Sequence, residues 1–263
     1  MINSGSLSLP YLDGAVTVLV DDGSTVVDEG ALYRALASYD KSKSFPQDAT
    51  LDYAGNGDIE ITLRTTFPEG KSIDRVAIEG LNVTDGMGVS VLTGDGTTMT
   101  AFSSSITPTE DDLYETQSFL FRDDPVTATV VDITFSGLSG ALVLAGLMVG
   151  KNYWTPDYNF SYGDSQNKGL RLDVVETDGG AVGIARSRVR SLTLTFANQS
   201  FEKAEALTLF CSRRIVEGYC LFEQDQTTDS EWFLCVANAP SYTHVKFNRY
   251  TAQMKVTAVN ECQ

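Results

Sequence analysis

Short runs of alternating apolar and polar residues cover most of the chain, and Gly, Asp and Asn separate them. AVTVLV (15–20) is rich in β-branched residues and is closed by Asp21-Asp22-Gly23-Ser24. DIEITLR (58–64) alternates with period two and follows the turn Gly55-Asn56-Gly57. RVAIEGLNV (75–83), GVSVLTG (88–94), TATVVDITFSG (127–137) and ALVLAGLMVG (141–150) continue the series. Such runs, bounded by turn residues at regular spacing, predict antiparallel strands in a sandwich or jelly roll. In this half helical spacing appears in EGALYRALASYD (29–40), where Leu32, Leu36 and Tyr39 recur at i, i+4 and i+7. TEDDLYE (109–115) reads as an acidic loop, Arg122-Asp123-Asp124-Pro125 as a turn and TGDGTT (93–98) as a hairpin turn.

Past residue 155 the pattern changes. RLDVVET (171–177) and VRSLTLTFA (189–197) read as strands, with Asp178-Gly179-Gly180 between them. FEKAEALTLFCSRRI then places Phe201, Ala204, Leu207, Phe210 or Cys211, and Ile215 on one helical face. Ser200 is placed to cap this helix, Glu202 sits in its first turn, Arg213 and Arg214 sit in its last, and Gly218 ends it. YCLFEQD (219–225), EWFLCVA (231–237) and AQMKVTAV (252–259) read as strands. The expected architecture is mainly β: a β-sandwich over 1–155, then a smaller β-domain over 156–263 with one helix near 200–215.

Composition narrows the function. The 263 residues suit one large or two ordinary domains. A net charge of −16 argues against nucleic acid and against an anionic membrane surface as partners. No stretch reaches the roughly 20 apolar residues of a membrane span. The first residues lack the basic region of a signal peptide, so the chain is expected to stay in the cytoplasm where it is made. Thiols there stay reduced, and Cys211, Cys220, Cys235 and Cys262 read first as buried free thiols. Disulfides or a metal or cluster site are the open alternatives, the latter weakened by the absence of a CxxC unit.

Catalytic signals are missing. The one histidine, His244, lies in SYTHVKFNRY, which reads as a polar loop before the last strand. GxSxG and HExxH are absent, and TGDGTT lacks the lysine of a nucleotide-binding loop. Asp21-Asp22-Gly23 and Asp111-Asp112 are acidic pairs of the kind that usually sits at solvated turns rather than on calcium. The expectation is a protein that is not an enzyme and carries no cofactor.

The densest cluster of aromatics is KNYWTPDYNFSYG (151–163), in which Tyr153, Trp154, Tyr158, Phe160 and Tyr162 flank Thr155-Pro156-Asp157. Aromatics bury large area and keep a polar tip. Trp154, Tyr158, Phe160 and Tyr162 therefore read as a packing seam between domains or subunits, or else as a platform for stacking a sugar.

Several landmarks in order resemble a known family. They are Leu32 to Ser38 followed by DIEITL, then IDRVAIEGLNVTDGMGVSVLTGDG, AGLMVGKNYWTPDYNFSYG, VRSLTLTFANQSFEKAEALTLF and NRYTAQMKVTAV. Together, over roughly residues 30 to 260, they resemble tail structural proteins of tailed phages, of the distal-tail or minor-tail type. Those proteins carry an N-terminal discoidin-like (galactose-binding-like) jelly roll. The resemblance implies a virion component at the tail tip, made in the host cytoplasm. It would form a ring or adaptor, a homo-oligomer that joins tail tube, hub and fibres; the net charge of −16, separately, suggests an acidic face that meets a basic partner. It also implies that the aromatics from Trp154 to Tyr162 form the interdomain seam. A carbohydrate-binding module contacting a cell-surface glycan is the alternative, and a capsid decoration or head–tail connector is a third reading. The four cysteines and the acidity depart from the family pattern.

Overall fold

A computed structural model of the chain describes residues 6–11, 13–20, 25–26, 49–51, 59–83, 86–107, 116–138, 142–144, 146–157, 166–177, 180–217, 219–224 and 232–258. Its strands are, in order, β1 (Ser6–Pro10), β2 (Ala15–Val20), β3 (Thr25–Val26), β4 (Ala49–Leu51), β5 (Ile59–Asn82) and β6 (Gly88–Gly94). Next come β7 (Met99–Ala101), β8 (Thr116–Leu138), β9 (Leu142–Leu144), β10 (Gly146–Trp154), β11 (Gln166–Thr177) and β12 (Gly180–Ser200). After helix α1 (Phe201–Glu217) follow β13 (Cys220–Glu223), β14 (Trp232–Ala237), β15 (Ser241–Lys246) and β16 (Arg249–Ala258). The protein is thus mainly β, with one helix among the described residues. It forms two compact units, Ser8–Asn152 and Tyr153–Glu261, the second taking in the first residues through Leu7.

In the N-terminal unit β5 and β8 pair antiparallel along most of their length. Period-two alternation buries Ile61, Leu63, Val131, Ile133 and Phe135 on the core side of this pair. β2 adds to the first half of β5 and β10 to its second half, while β6 pairs with β8 and carries β7. β4 and β9 form a separate two-stranded ribbon, and Leu142 and Leu144 of β9 enter the same core. Gly150 of β10 is required by close approach, because a Cβ there would collide with the Leu9 carbonyl.

The long strands correct two expectations. The runs 58–64 and 75–83 belong to one strand, β5, and the segment between them is a bulge rather than a break. Thr66 faces Val130 and Lys71 faces Ala128, so Phe67 to Gly70 bulge out opposite a single residue. The expected turn at Arg122–Pro125 is likewise a bulge inside β8, with Ile73 facing Val126 and Arg75 facing Arg122. Pro125 has no N–H to give the ladder, and the Asp123 carboxylate accepts the Asp124 N–H at 2.8 Å. Arg64 on β5 and Asp132 on β8, opposite one another, join by two hydrogen bonds of 2.8 and 2.7 Å. The helical spacing at 29–40 and the acidic pairs at 21–22 and 111–112 lie outside the described residues.

The C-terminal unit is an antiparallel sheet in the order β11-β12-β16-β14-β13, with α1 against β12, β14 and β16. Leu192, Leu194 and Phe196 of β12 and Ala252, Met254 and Val256 of β16 are buried at alternate positions. β12 and β16 slip register after Phe196, where Asn198 takes a positive φ of 58°. Ala204, Leu207, Phe210 and Cys211 are the buried stripe of α1, as its spacing predicts. Phe201, expected on that stripe, is half-exposed instead, with its ring 6.0 Å from that of Tyr250 on β16.

Candidate interaction surface

Among the described residues, the large apolar side chains that stand clear of the core are Phe201, Leu209, Tyr242, Val245 and Phe247. All five lie in α1 or in the β15–β16 hairpin. Phe247 is 95% exposed, which places it at the extreme of that set. Scattered exposed apolar residues need no explanation, but confinement of these five to two elements makes the pair the candidate contact surface.

The hairpin follows from local sequence. β14 and β15 pair with different stretches of the same partner, β16: Ala237 faces Val256 and Ser241 faces Gln253. Asn238-Ala239-Pro240 breaks them apart, and the Asn238 N–H reaches the Lys255 carbonyl at 2.9 Å. Lys246 faces Arg249 across a two-residue turn, Phe247-Asn248. Asn248 has φ of 54°, a left-handed conformation that asparagine tolerates better than most residues. The turn therefore holds Phe247 at the tip. Among the described strands β15 pairs with β16 alone, so its outer side is a sheet edge.

Tyr242 ties the hairpin to α1. Its hydroxyl donates to the Ala204 carbonyl at 2.7 Å and lies 2.8 Å from the Thr208 hydroxyl. Burial raises the Tyr242 phenol above its ordinary value, against a smaller lowering by the Thr208 hydrogen bond, so it remains a donor at neutral pH. His244, two residues on and on the same face, lies 5.2 Å ring to ring from Tyr250, and Tyr250 lies 6.0 Å from Phe201. An aromatic row thus runs from the hairpin to the start of the helix. Charge separates this region from the rest. Residues 232–260 hold Lys246, Arg249 and Lys255 and no acid, a formal +3 within a chain of −16 that leaves −19 on the remainder, although Arg249 stands 3.5 Å from the Asp157 carboxylate.

His244 is therefore on a strand, not in the polar loop expected. The signal was present: Tyr242, His244 and Lys246 alternate with β-branched Thr243 and Val245. The polar residues of SYTHVK concealed a strand whose side chains are exposed at every position.

The aromatic cluster around Trp154 is only partly described, since Tyr158, Phe160 and Tyr162 lie outside the described residues. Trp154 is buried within the C-terminal unit, edge-on to Phe196 at 4.9 Å. Its indole N–H donates to the Lys203 carbonyl at 2.9 Å. Tyr153 sits 5.7 Å from Phe210. Thr155-Pro156 turns the chain so that Asp157 meets the helix start. The Asp157 carboxylate accepts the Ser200 N–H at 2.8 Å and stands 3.5 Å from Arg249, while the Ser200 hydroxyl accepts the Lys203 N–H at 3.3 Å. The opposite sign of the helix N-terminus favours this carboxylate.

Of the cysteines, Cys220 and Cys235 face each other across β13 and β14, and Cys211 directs its thiol to the Asn238 carbonyl at 3.6 Å. Cys262 lies outside the described residues. Among the described residues no three His, Cys, Asp or Glu side chains gather in a way that could hold a metal, and no helix is long and apolar enough to cross a membrane. In the N-terminal unit an open groove of about 300 Å³ runs beside the turn between β6 and β7, lined by Asp95, Thr98, Thr127 and Thr129. Asp95 accepts the N–H groups of Thr97 and Thr98 at 2.8 and 2.7 Å, which holds its carboxyl below the ordinary value.

No family model and no curated protein matches the chain. Solved structures similar to part of it include two of a Ruminococcus gnavus GH29 fucosidase in complex with fucose, one of them a point mutant. The mutant is 18% identical with a TM-score of 0.34, covering 53% of this chain and 25% of the enzyme. The other is 17% identical with a TM-score of 0.35, covering 54% and 26%. The chain thus spans about a quarter of the length of these enzymes, and similarity at this level carries no functional argument.

Proposed function

We propose that the chain is a structural component of a tailed-phage virion, a tail-tip protein that forms a ring or adaptor joining tube, hub and fibres. The observation that carries an assembly role is the β15–β16 hairpin: apolar at its tip, cationic, open along one edge, and set on an otherwise acidic chain. The occupant that fits it is a second copy of the same chain, whose acidic remainder complements the hairpin. A basic arm that meets an acidic surface elsewhere on an identical subunit makes a head-to-tail contact, and such contacts form a ring where the rotation between copies closes and a filament where it does not. The ordered resemblance of residues 30 to 260 to tail proteins supports the virion setting.

The test is solution mass by light scattering at low and high salt, for the natural chain and for Phe247→Asp. A closed oligomer that weakens with salt and is lost in the variant is the expected result. Charge attraction is screened within about 8–10 Å at physiological salt, so the salt response reports the electrostatic part. A monomer under every condition would overturn self-assembly through the hairpin. The second reading, a carbohydrate-binding module, is favoured by the groove beside the β6–β7 turn, with its hydroxyls and the Asp95 carboxylate. A monomer that binds defined glycans on an array would establish that reading in place of the first.

A further inference from the structure

Cys220 and Cys235 occupy directly opposed positions on β13 and β14. Their sulfurs are 3.5 Å apart, and both side chains are fully buried. Directly opposed residues of an antiparallel pair have Cα atoms roughly 4.5–5.5 Å apart, inside the range of about 4.4–6.8 Å that a disulfide spans. Closing the remaining gap to the roughly 2.05 Å of a bond is within reach of side-chain rotation, with the ladder kept. The pair opens the β13–β14 ladder, and the register that follows it is regular, with Leu221 facing Leu234 and Phe222 facing Phe233.

We propose that Cys220 and Cys235 are a site for a cross-strand disulfide, formed by exchange with a low-molecular-weight disulfide. One cysteine thiolate attacks a sulfur of the small disulfide, and the sulfur–sulfur bond of that molecule breaks to release one small thiol. The second cysteine thiolate then attacks the mixed disulfide and releases the second small thiol. The two cysteines lose two protons and two electrons, and the small disulfide is reduced to two thiols. Because both sulfurs are buried, exchange takes place before the strands close during folding or while β13 and β14 part locally. Cys211 has its own partner at Asn238 and stays a thiol. The proposal does not depend on the assembly role.

The experiment refolds the full chain from denaturant in a buffer of oxidised and reduced glutathione. Remaining thiols are alkylated under denaturing conditions, and the digest is mapped by mass spectrometry without reduction. The expected result is two alkylatable thiols instead of four and one linked peptide pair containing Cys220 and Cys235. Retention of four thiols would overturn the proposal, as would a link that uses Cys211 or Cys262. Incubating the already folded chain in the same buffer gives a second readout: the same link forms more slowly than on refolding. The natural chain suffices for both, so no variant has to fold.

Discussion

Replacing Trp154 tests whether the aromatic that dominates the 151–163 stretch is core or contact surface. The indole is buried, meets Phe196 edge-on at 4.9 Å and donates to the Lys203 carbonyl at 2.9 Å. Trp154→Phe keeps an aromatic ring against Phe196 but removes the N–H. The lost hydrogen bond costs about 0.5–1.5 kcal/mol, at the low end because an interior helix carbonyl also takes its own i+4 N–H. The smaller ring adds about 1 kcal/mol of lost contact, for a total of about 1.5 kcal/mol. Trp154→Ala removes the ring pair and opens a cavity, and costs about 3–5 kcal/mol. For a unit of about this size that corresponds to roughly 12–20 °C in Tm. The assay is urea unfolding followed by fluorescence. The chain has two tryptophans, and in either variant Trp232 of β14 remains to report on the same unit. A Trp154→Ala protein within about 1 kcal/mol of the natural chain would refute the core assignment. If the same variant failed to self-associate, Trp154 would be a contact residue and the packing described above would be wrong.

Three further outcomes are expected. Asp157→Asn weakens the cap on α1 and the contact with Arg249 and costs about 0.5–1.5 kcal/mol in denaturant unfolding; no change would show that Ser200 caps alone. Asp132→Ala removes the bidentate partner of Arg64, whose side chain is one-third exposed and regains water, so the loss is about 1–2 kcal/mol rather than the value for a deeply buried pair. Asp95 stabilises its turn as a carboxylate with a depressed pKa, so this contribution is complete above the unfolded-state value and is lost as pH falls through the lower folded value. In an acid titration below about pH 4 the Thr97 and Thr98 amides should lose hydrogen-exchange protection while those of β6 keep theirs; simultaneous loss in both would contradict a local effect.

Period-two alternation is sufficient to show the mainly β character and most of the strand positions, and helical spacing shows the buried stripe of α1. Ser200 and Glu202 likewise announced where that helix begins, because capping is a matter of a few adjacent residues. What local pattern did not show is continuity. β5 and β8 run unbroken through Pro68 and Pro125, because a long partner strand lets a bulge absorb residues that would end an isolated strand. In β15 the β-branched Thr243 and Val245 alternate with Tyr242, His244 and Lys246, but neither face is buried, so the apolar contrast that periodicity relies on is missing.

The sequence by itself determined composition, charge and local preference: an acidic chain, strands punctuated by turns, one capped helix, and four cysteines in its last fifth. Only the tertiary structure decided which residues meet. It buried Trp154 against Phe196, set Asp157 at the helix start, and placed Cys235 rather than Cys211 opposite Cys220. It also raised Phe247 to the tip of a cationic hairpin. The physical reason is that these pairings join residues tens of positions or more apart, or depend on strand register, where a shift of one residue reverses every side chain. Such contacts are fixed by the packing of the whole unit, and no window of neighbouring residues contains them.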